Sequence, residues 1–226
     1  MYHSVAASAE YNGEKGINIV PEAFEKQVKY LKKRNYNFLK ASELLSNSLN
    51  NSSNSSNSNH SNNLNVTLTF DDGYMNNYTN VFPILKKYNA KATIFLSFDA
   101  MNAEKLTPAQ INEMQASGLV EFGAHTLTHC NITTLTDDQA ELEIYASKIK
   151  VEELTQAACT SFAYPYGCFE DRHIAILKKL GFSSAFTVKK RILPLTDPFR
   201  IPRSSVINGI DLLQFHILVT RGKYRI

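Results

Sequence analysis

The chain has 226 residues, 43% hydrophobic and 20% charged, with a formal net charge of +3. That length and balance suit one globular domain with a substantial core and exclude a chain too polar to fold. The small excess of positive charge, spread along the sequence, argues against a nucleic-acid partner. The lack of any run of about 18 apolar residues argues against a transmembrane segment.

Tyr2-His3-Ser4-Val5 follows Met1 directly and has the pattern of a strand's last residues. No secretory leader precedes it, so an extracellular or cell-envelope location is expected if the start has been trimmed, and a cytoplasmic one otherwise. Residues 21–34 predict a helix, with Pro21 in the first turn and Phe24, Val28 and Leu31 on one face. Lys29, Lys32, Lys33 and Arg34 then fall on its wet face. A short strand at 37–39 and a helical turn at 42–45 follow. Residues 46–63 are almost wholly Ser and Asn, too polar to offset their ordering entropy, and predict a mobile insertion with His60 in solvent.

From Val66 onward strands alternate with helices. Strands are predicted at 66–70, 91–98, 119–123, 161–163, 184–187 and 200–206. Helices are predicted at 78–88, 107–117, 137–154, 171–180 and 210–218. Such alternation indicates an α/β fold of parallel βα units, about seven in number, curled into a distorted (β/α)7-type barrel. Residues 1–226 are expected to form this single domain, with the 46–63 insertion projecting from it. Cys130, Cys159 and Cys168 form no C-x-x-C pair and are expected as free thiols.

Three polar clusters fall just after strand ends, where barrel enzymes keep their active sites. Thr69-Phe70-Asp71-Asp72-Gly73-Tyr74 offers two adjacent carboxylates whose side chains alternate in direction, one for a cation and one for a proton. Asp-Gly is equally common turn chemistry. His125-Thr126-Leu127-Thr128-His129 spaces two imidazoles four apart, one helical turn, which suits two ligands on one metal. Phe162-Ala163-Tyr164-Pro165-Tyr166-Gly167 predicts a rigid loop with an aromatic wall, and Tyr164, Pro165 and Arg203 are candidate substrate-binding residues.

T-F-D-D-G-Y, H-T-L-T-H and Y-P-Y-G, in this order, resemble the first three motifs of the polysaccharide deacetylases, the NodB-homology or carbohydrate esterase 4 family. The resemblance implies a NodB-type barrel. It implies Asp71 as general base, Asp72, His125 and His129 as metal ligands, and the Tyr166 backbone N–H as an oxyanion donor. The cation implied is Zn²⁺, with Co²⁺, Ni²⁺ or Mn²⁺ as alternatives. Many members begin the third motif with an Arg that braces the catalytic carboxylate, whereas this chain has Phe162 there, leaving Arg200 or Arg203 for that role. The start of the chain and the R-I-P-R string at 200–203 are similar to biofilm poly-β-1,6-N-acetylglucosamine deacetylases of the PgaB and IcaB kind. That similarity implies His3, rather than His216 of the late Leu-x-x-x-His string, as the general acid.

The implied reaction is hydrolysis of N-acetyl groups on a polysaccharide, releasing acetate. An esterase acting on O-acetylated glycans and a non-catalytic carbohydrate-binding protein on the same barrel are the alternatives. Loss of Asp71 or of a metal ligand would mark the latter, and none is lost.

Overall fold

A computed structural model describes residues 1–7, 16–44, 46, 64–99, 103–189 and 196–223. The expected insertion at 46–63, His60 included, lies outside the described residues apart from Ser46. Strand β1 (Ser4–Val5) pairs in parallel with β2 (Asn18–Ile19), and helix α1 (Pro21–Lys33) follows. β3 (Asn37–Phe38) and β4 (Asn65–Val66) make a second short parallel pair. Next come β5 (Leu68–Asp72), a π-helical stretch (Asn77–Val81) running into α2 (Phe82–Tyr88), β6 (Ala92–Leu96), α3 (Pro108–Ala116) and β7 (Val120–Ala124). α4 (Asp137–Thr155), β8 (Ser161–Ala163), α5 (Asp171–Lys179), β9 (Ser184–Phe186) and α6 (Leu212–Arg221) complete the order.

β5 to β9 form one parallel sheet in chain order. Its two edges curl toward each other. Tyr2 bridges Phe70 on β5, and Ile201 bridges Phe186 on β9, both in parallel. The gap between these two additions is closed by Met1, whose nitrogen donates to the Ser204 carbonyl at 2.9 Å and whose carbonyl accepts from Val206 N–H at 2.9 Å. The result is a distorted barrel of the expected class. Its 200–206 segment is no full strand, because Pro202 lacks a ladder donor and only Ile201 pairs with the sheet.

The alternation of strand side chains sorts the interior. Leu68, Phe70, Ala92, Ile94, Leu96 and Phe162 pack in the main core between sheet and helices. Phe95, Ala163, Phe186 and Ile201 form a second apolar cluster on the opposite face, inside the barrel. Phe95 and Phe186 sit there with ring centroids 5.3 Å apart. β5 and β6 are buried on both faces, so before the two aspartates of β5 their only polar members are Thr69 and Thr93. The helices start where the sequence offers caps: Thr107 with Gln110 and Thr136 with Gln139 form capping boxes at α3 and α4.

Candidate active site

Asp71 and Asp72 end β5, and both are buried. Asp71 points into the barrel, as Thr69 does, and meets Arg203 end-on. Arg203 Nη1 donates to Oδ1 at 2.6 Å and Nη2 to Oδ2 at 2.8 Å. The guanidinium is 6% exposed and lies 5.4 Å from the Phe95 ring centre and 5.9 Å from that of Phe186, so the interior aromatics form its floor. Its Nε also donates to the Thr187 carbonyl at 3.2 Å. Burial alone would favour a protonated Asp71, but the charge of Arg203 with help from His125 and His3 outweighs it. The carboxyl is held well below the usual carboxylate range.

Asp72 breaks the strand, with φ at 75°. Left-handed backbone is rare for a non-glycine residue and marks a position over-determined by its surroundings. The residue turns away from Asp71 and brings Oδ1 to 3.3 Å from His129 Nε2 and 3.7 Å from His125 Nε2. Lys105, which the sequence did not single out, holds this turn by donating to the Asp72 carbonyl at 2.8 Å. A lone lysine in a loop carries no pattern that separates it from a solvated one.

The two histidines do not sit on a helical turn as their spacing suggested. They occupy a loop in which Thr126 (φ 58°) and His129 (φ 57°) are both left-handed. His125 N–H donates to the Leu96 carbonyl at 3.1 Å, and Phe98 N–H to the Leu127 carbonyl at 2.9 Å, which ties the loop to the end of β6. From the other side Glu143 on α4 accepts from Leu127 N–H and Thr128 N–H, each at 3.0 Å. His125 Nδ1 is 2.7 Å from the Ala163 carbonyl. A carbonyl only accepts, so Nδ1 carries a proton and Nε2 is the ring atom turned toward Asp72. This bond also links β7 to β8, which otherwise pair only at Ala124 and Phe162.

Asp72, His125 and His129 thus place one carboxylate oxygen and two ring nitrogens within 4.8 Å of one another. Asp72 Oδ1 is a buried acceptor without a hydrogen-bond partner. Burial and the neighbouring His125 push the His129 imidazole down to about 4, so it is neutral near pH 7. A carboxylate oxygen without a hydrogen-bond partner, facing two imidazole nitrogens, is the donor set of a divalent-metal site with open positions, and the residues fit that group.

His3 enters from the barrel's first segment. Three asparagines after the first motif hold that segment: Asn76 Oδ1 accepts from Val5 N–H at 3.0 Å, Asn77 Nδ2 donates to the His3 carbonyl at 2.9 Å, and Asn80 Nδ2 donates to the Val5 carbonyl at 2.8 Å. The π-helical stretch presents Asn77 and Asn80, and such stretches recur at functional sites. Burial lowers the His3 imidazole from its usual value, against the opposing pull of Asp71 and Asp72. His216 is elsewhere, on α6, with Nδ1 2.6 Å from the Tyr30 hydroxyl of α1.

The third motif is divided between the interior and the surface. Tyr164 and Pro165, expected at the substrate, are buried. Tyr164 stacks on Phe169 at 4.4 Å and donates its hydroxyl to the Phe199 carbonyl at 3.1 Å, which makes it a packing residue. Tyr166 is the member that faces outward: it is left-handed (φ 59°), 61% exposed, and its ring stands 4.9 Å from that of His129. Arg203, also expected at the substrate, is taken up by Asp71. It fills the bracing role because Phe162 points to the helices, against the rings of Tyr164 and Phe182. Arg200 instead pairs with Asp171 and Asp197 at the surface.

Comparison with known proteins agrees with this geometry. The family model for polysaccharide deacetylases matches residues 59–185. A poly-β-1,6-N-acetyl-D-glucosamine N-deacetylase of Staphylococcus epidermidis is 30% identical over 209 residues, covering 86% of this chain and 70% of that protein. The deacetylase PplD of Streptococcus pyogenes, solved in complex with acetate, superposes with a TM-score of 0.81 at 25% identity, covering 99% of this chain and 96% of that one. IcaB from Ammonifex degensii shares the fold, with a TM-score of 0.79 at 23% identity, covering 98% and 94%. The chain spans 63% to 70% of the length of the first curated relatives it matches. The match over more than half of its length and the barrel shared with solved deacetylases lead to one conclusion: the chain belongs to the polysaccharide deacetylase family, whose members depend on a divalent metal.

Proposed function

We propose that this chain hydrolyses N-acetyl groups on a poly-N-acetylglucosamine, releasing acetate and leaving free amines on the polymer. The observation that carries the reading is the pair of adjacent carboxylates with opposite tasks. Asp71 is locked ionised by Arg203, while Asp72 faces two imidazoles. The name of the staphylococcal relative supplies the polymer class.

Asp72, His125 and His129 would hold the divalent cation, Zn²⁺ being the first choice for a carboxylate and two imidazoles. When bound, it supplies Lewis-acid polarisation of the acetyl carbonyl. Asp71 accepts a proton from the attacking water as the new C–O bond forms. Arg203 keeps it aligned and unprotonated until that moment. The backbone N–H of Tyr166 donates to the oxyanion of the tetrahedral intermediate. His3 donates a proton to the amide nitrogen as the C–N bond breaks, so the amine leaves neutral. The exposed Tyr166 ring offers an apolar face to a sugar ring beside the site.

Acetate release from β-1,6-linked N-acetylglucosamine oligomers tests this reading, with acetylated xylan as the parallel substrate. Turnover of the amide polymer supports it. Turnover of the xylan ester alone moves the assignment to an esterase, and turnover of neither with metal supplied removes the catalytic reading.

A further inference from the structure

Glu143 stands on α4, outside the set of donor atoms that face the metal position. Its carboxylate nevertheless takes three hydrogen bonds from the loop that carries both histidines. Oε2 accepts from Leu127 N–H and Thr128 N–H at 3.0 Å each, and Oε1 accepts from the Thr128 hydroxyl at 3.1 Å. Two successive main-chain N–H groups converging on one carboxylate form an anion nest. The nest lies between Thr126 and His129, the two left-handed residues of the loop. A β-branched threonine adopts that backbone only when its surroundings impose it.

The sheet holds the loop on one side, through His125 N–H to Leu96 and Phe98 N–H to Leu127. On the helix side Glu143 accepts from both main-chain N–H groups and the hydroxyl of the loop's middle. Its carrier is rigid: α4 is 19 residues long, begins with a capping box, and buries Ala140, Ile144, Ser147 and Val151. We propose that Glu143 is a positioning residue for the metal centre. Its carboxylate fixes the 125–129 loop in the left-handed form that turns both Nε2 atoms toward Asp72 Oδ1. The inference rests on the reading of Asp72, His125 and His129 as ligands. A residue that only tied helix to loop would affect stability and leave metal affinity alone.

The test measures Zn²⁺ affinity of the full chain by competition with a chromophoric chelator, for wild type, Glu143→Ala, Glu143→Gln and His125→Ala. Thermal melts of the metal-free proteins and visible spectra of the Co²⁺ forms accompany it. Glu143→Ala is expected to bind roughly 10–100-fold more weakly, the usual effect of losing an outer partner of a metal ligand, and to change the Co²⁺ spectrum. Glu143→Gln keeps an oxygen for the two N–H groups and is expected to recover most of the affinity. A Glu143→Ala protein that binds within twofold of wild type with an unchanged Co²⁺ spectrum overturns the proposal, whatever its melting temperature. If that variant does not fold, Glu143→Asp, one methylene short, takes its place, and wild-type affinity there overturns the proposal equally. His125→Ala separates the two layers: if it binds like wild type, or if wild type binds nothing, the ligand reading fails and the role of Glu143 falls with it.

Discussion

Arg203 and Asp71, 132 residues apart in sequence, meet in two parallel hydrogen bonds inside the barrel. The pair joins the last segment of the ring to the strand that carries the first motif, so it is part of the closure as well as of the site. Its geometry explains how a chain with Phe162 in the third motif keeps its buried carboxylate ionised.

Breaking that pair from one side leaves a buried charge without a partner, which costs about 3–5 kcal/mol. Arg203→Leu is therefore expected to lose stability of that order in urea unfolding. The double variant with Asp71→Asn, which removes both charges, is expected to recover a large part of it. Equal losses in the single and double variants would mean that Arg203 contributes through its packing on Phe95 and Phe186 and its bond to the Thr187 carbonyl, and not through the charge of Asp71.

Zn²⁺ added to the metal-free chain at about 100 times its dissociation constant is expected to stabilise the fold by about 2.7 kcal/mol. A chelator should reverse the effect, and His125→Ala should abolish it. Differential scanning fluorimetry with and without metal reads this out. Stabilisation that survives in His125→Ala would place the cation away from the three converging donors.

His216→Ala is expected to leave activity within about twofold of wild type while lowering stability by about 1 kcal/mol, the usual worth of one hydrogen bond. The reason is its contact with the Tyr30 hydroxyl at 2.6 Å, which serves the packing of α6 on α1. Parallel activity assays and urea unfolding check both halves. Loss of activity without loss of stability would return the acid role to this residue.

Cys159 is buried, and burial pushes its thiol up from 9.0 to about 12. Its folded value is raised, so the stability it contributes is intact below pH 9 and falls as pH climbs from 9 toward 12. At pH 10 that contribution is diminished by about 1.4 kcal/mol, one unit of pH past the unfolded value. Urea unfolding of wild type and Cys159→Ala at pH 8 and pH 10 should show the difference between them shift by that amount toward the variant. No shift would mean the thiol titrates alike in both states. Iodoacetamide at pH 8 should spare Cys159 in the folded chain.

Much of the site was legible because each motif is contiguous and follows a strand. Asp71, Asp72, His125 and His129 were readable from residue type and spacing, and the structure brings them together. The path taken by the two histidines was not, since nothing in Thr126 or His129 announces a left-handed backbone, which Glu143, 14 residues beyond His129 on another element, holds in place. Arg203 remained one of two choices because its segment pairs with the sheet only at Ile201, too little for a strand pattern to set its direction. Tyr164 looked like a pocket wall because the motif is aromatic. Its burial depends on Phe169 and Phe199, which the motif does not contain. Asn76, Asn77 and Asn80 stand in no motif, and residue type alone does not show that they hold the segment that bears His3.

The most direct test of the account is acetate release from β-1,6-linked N-acetylglucosamine oligomers by wild type, Asp71→Asn and His3→Ala, each with and without chelator. Release by wild type that the chelator stops is expected, with a loss of at least about 100-fold in each variant, the scale of a general base or acid. His3→Ala retains the Asn77 bond, which goes to the main chain, so its loss would report the imidazole itself. Chelator-resistant release, or full activity in Asp71→Asn, would rule out metal-dependent hydrolysis with Asp71 as the base.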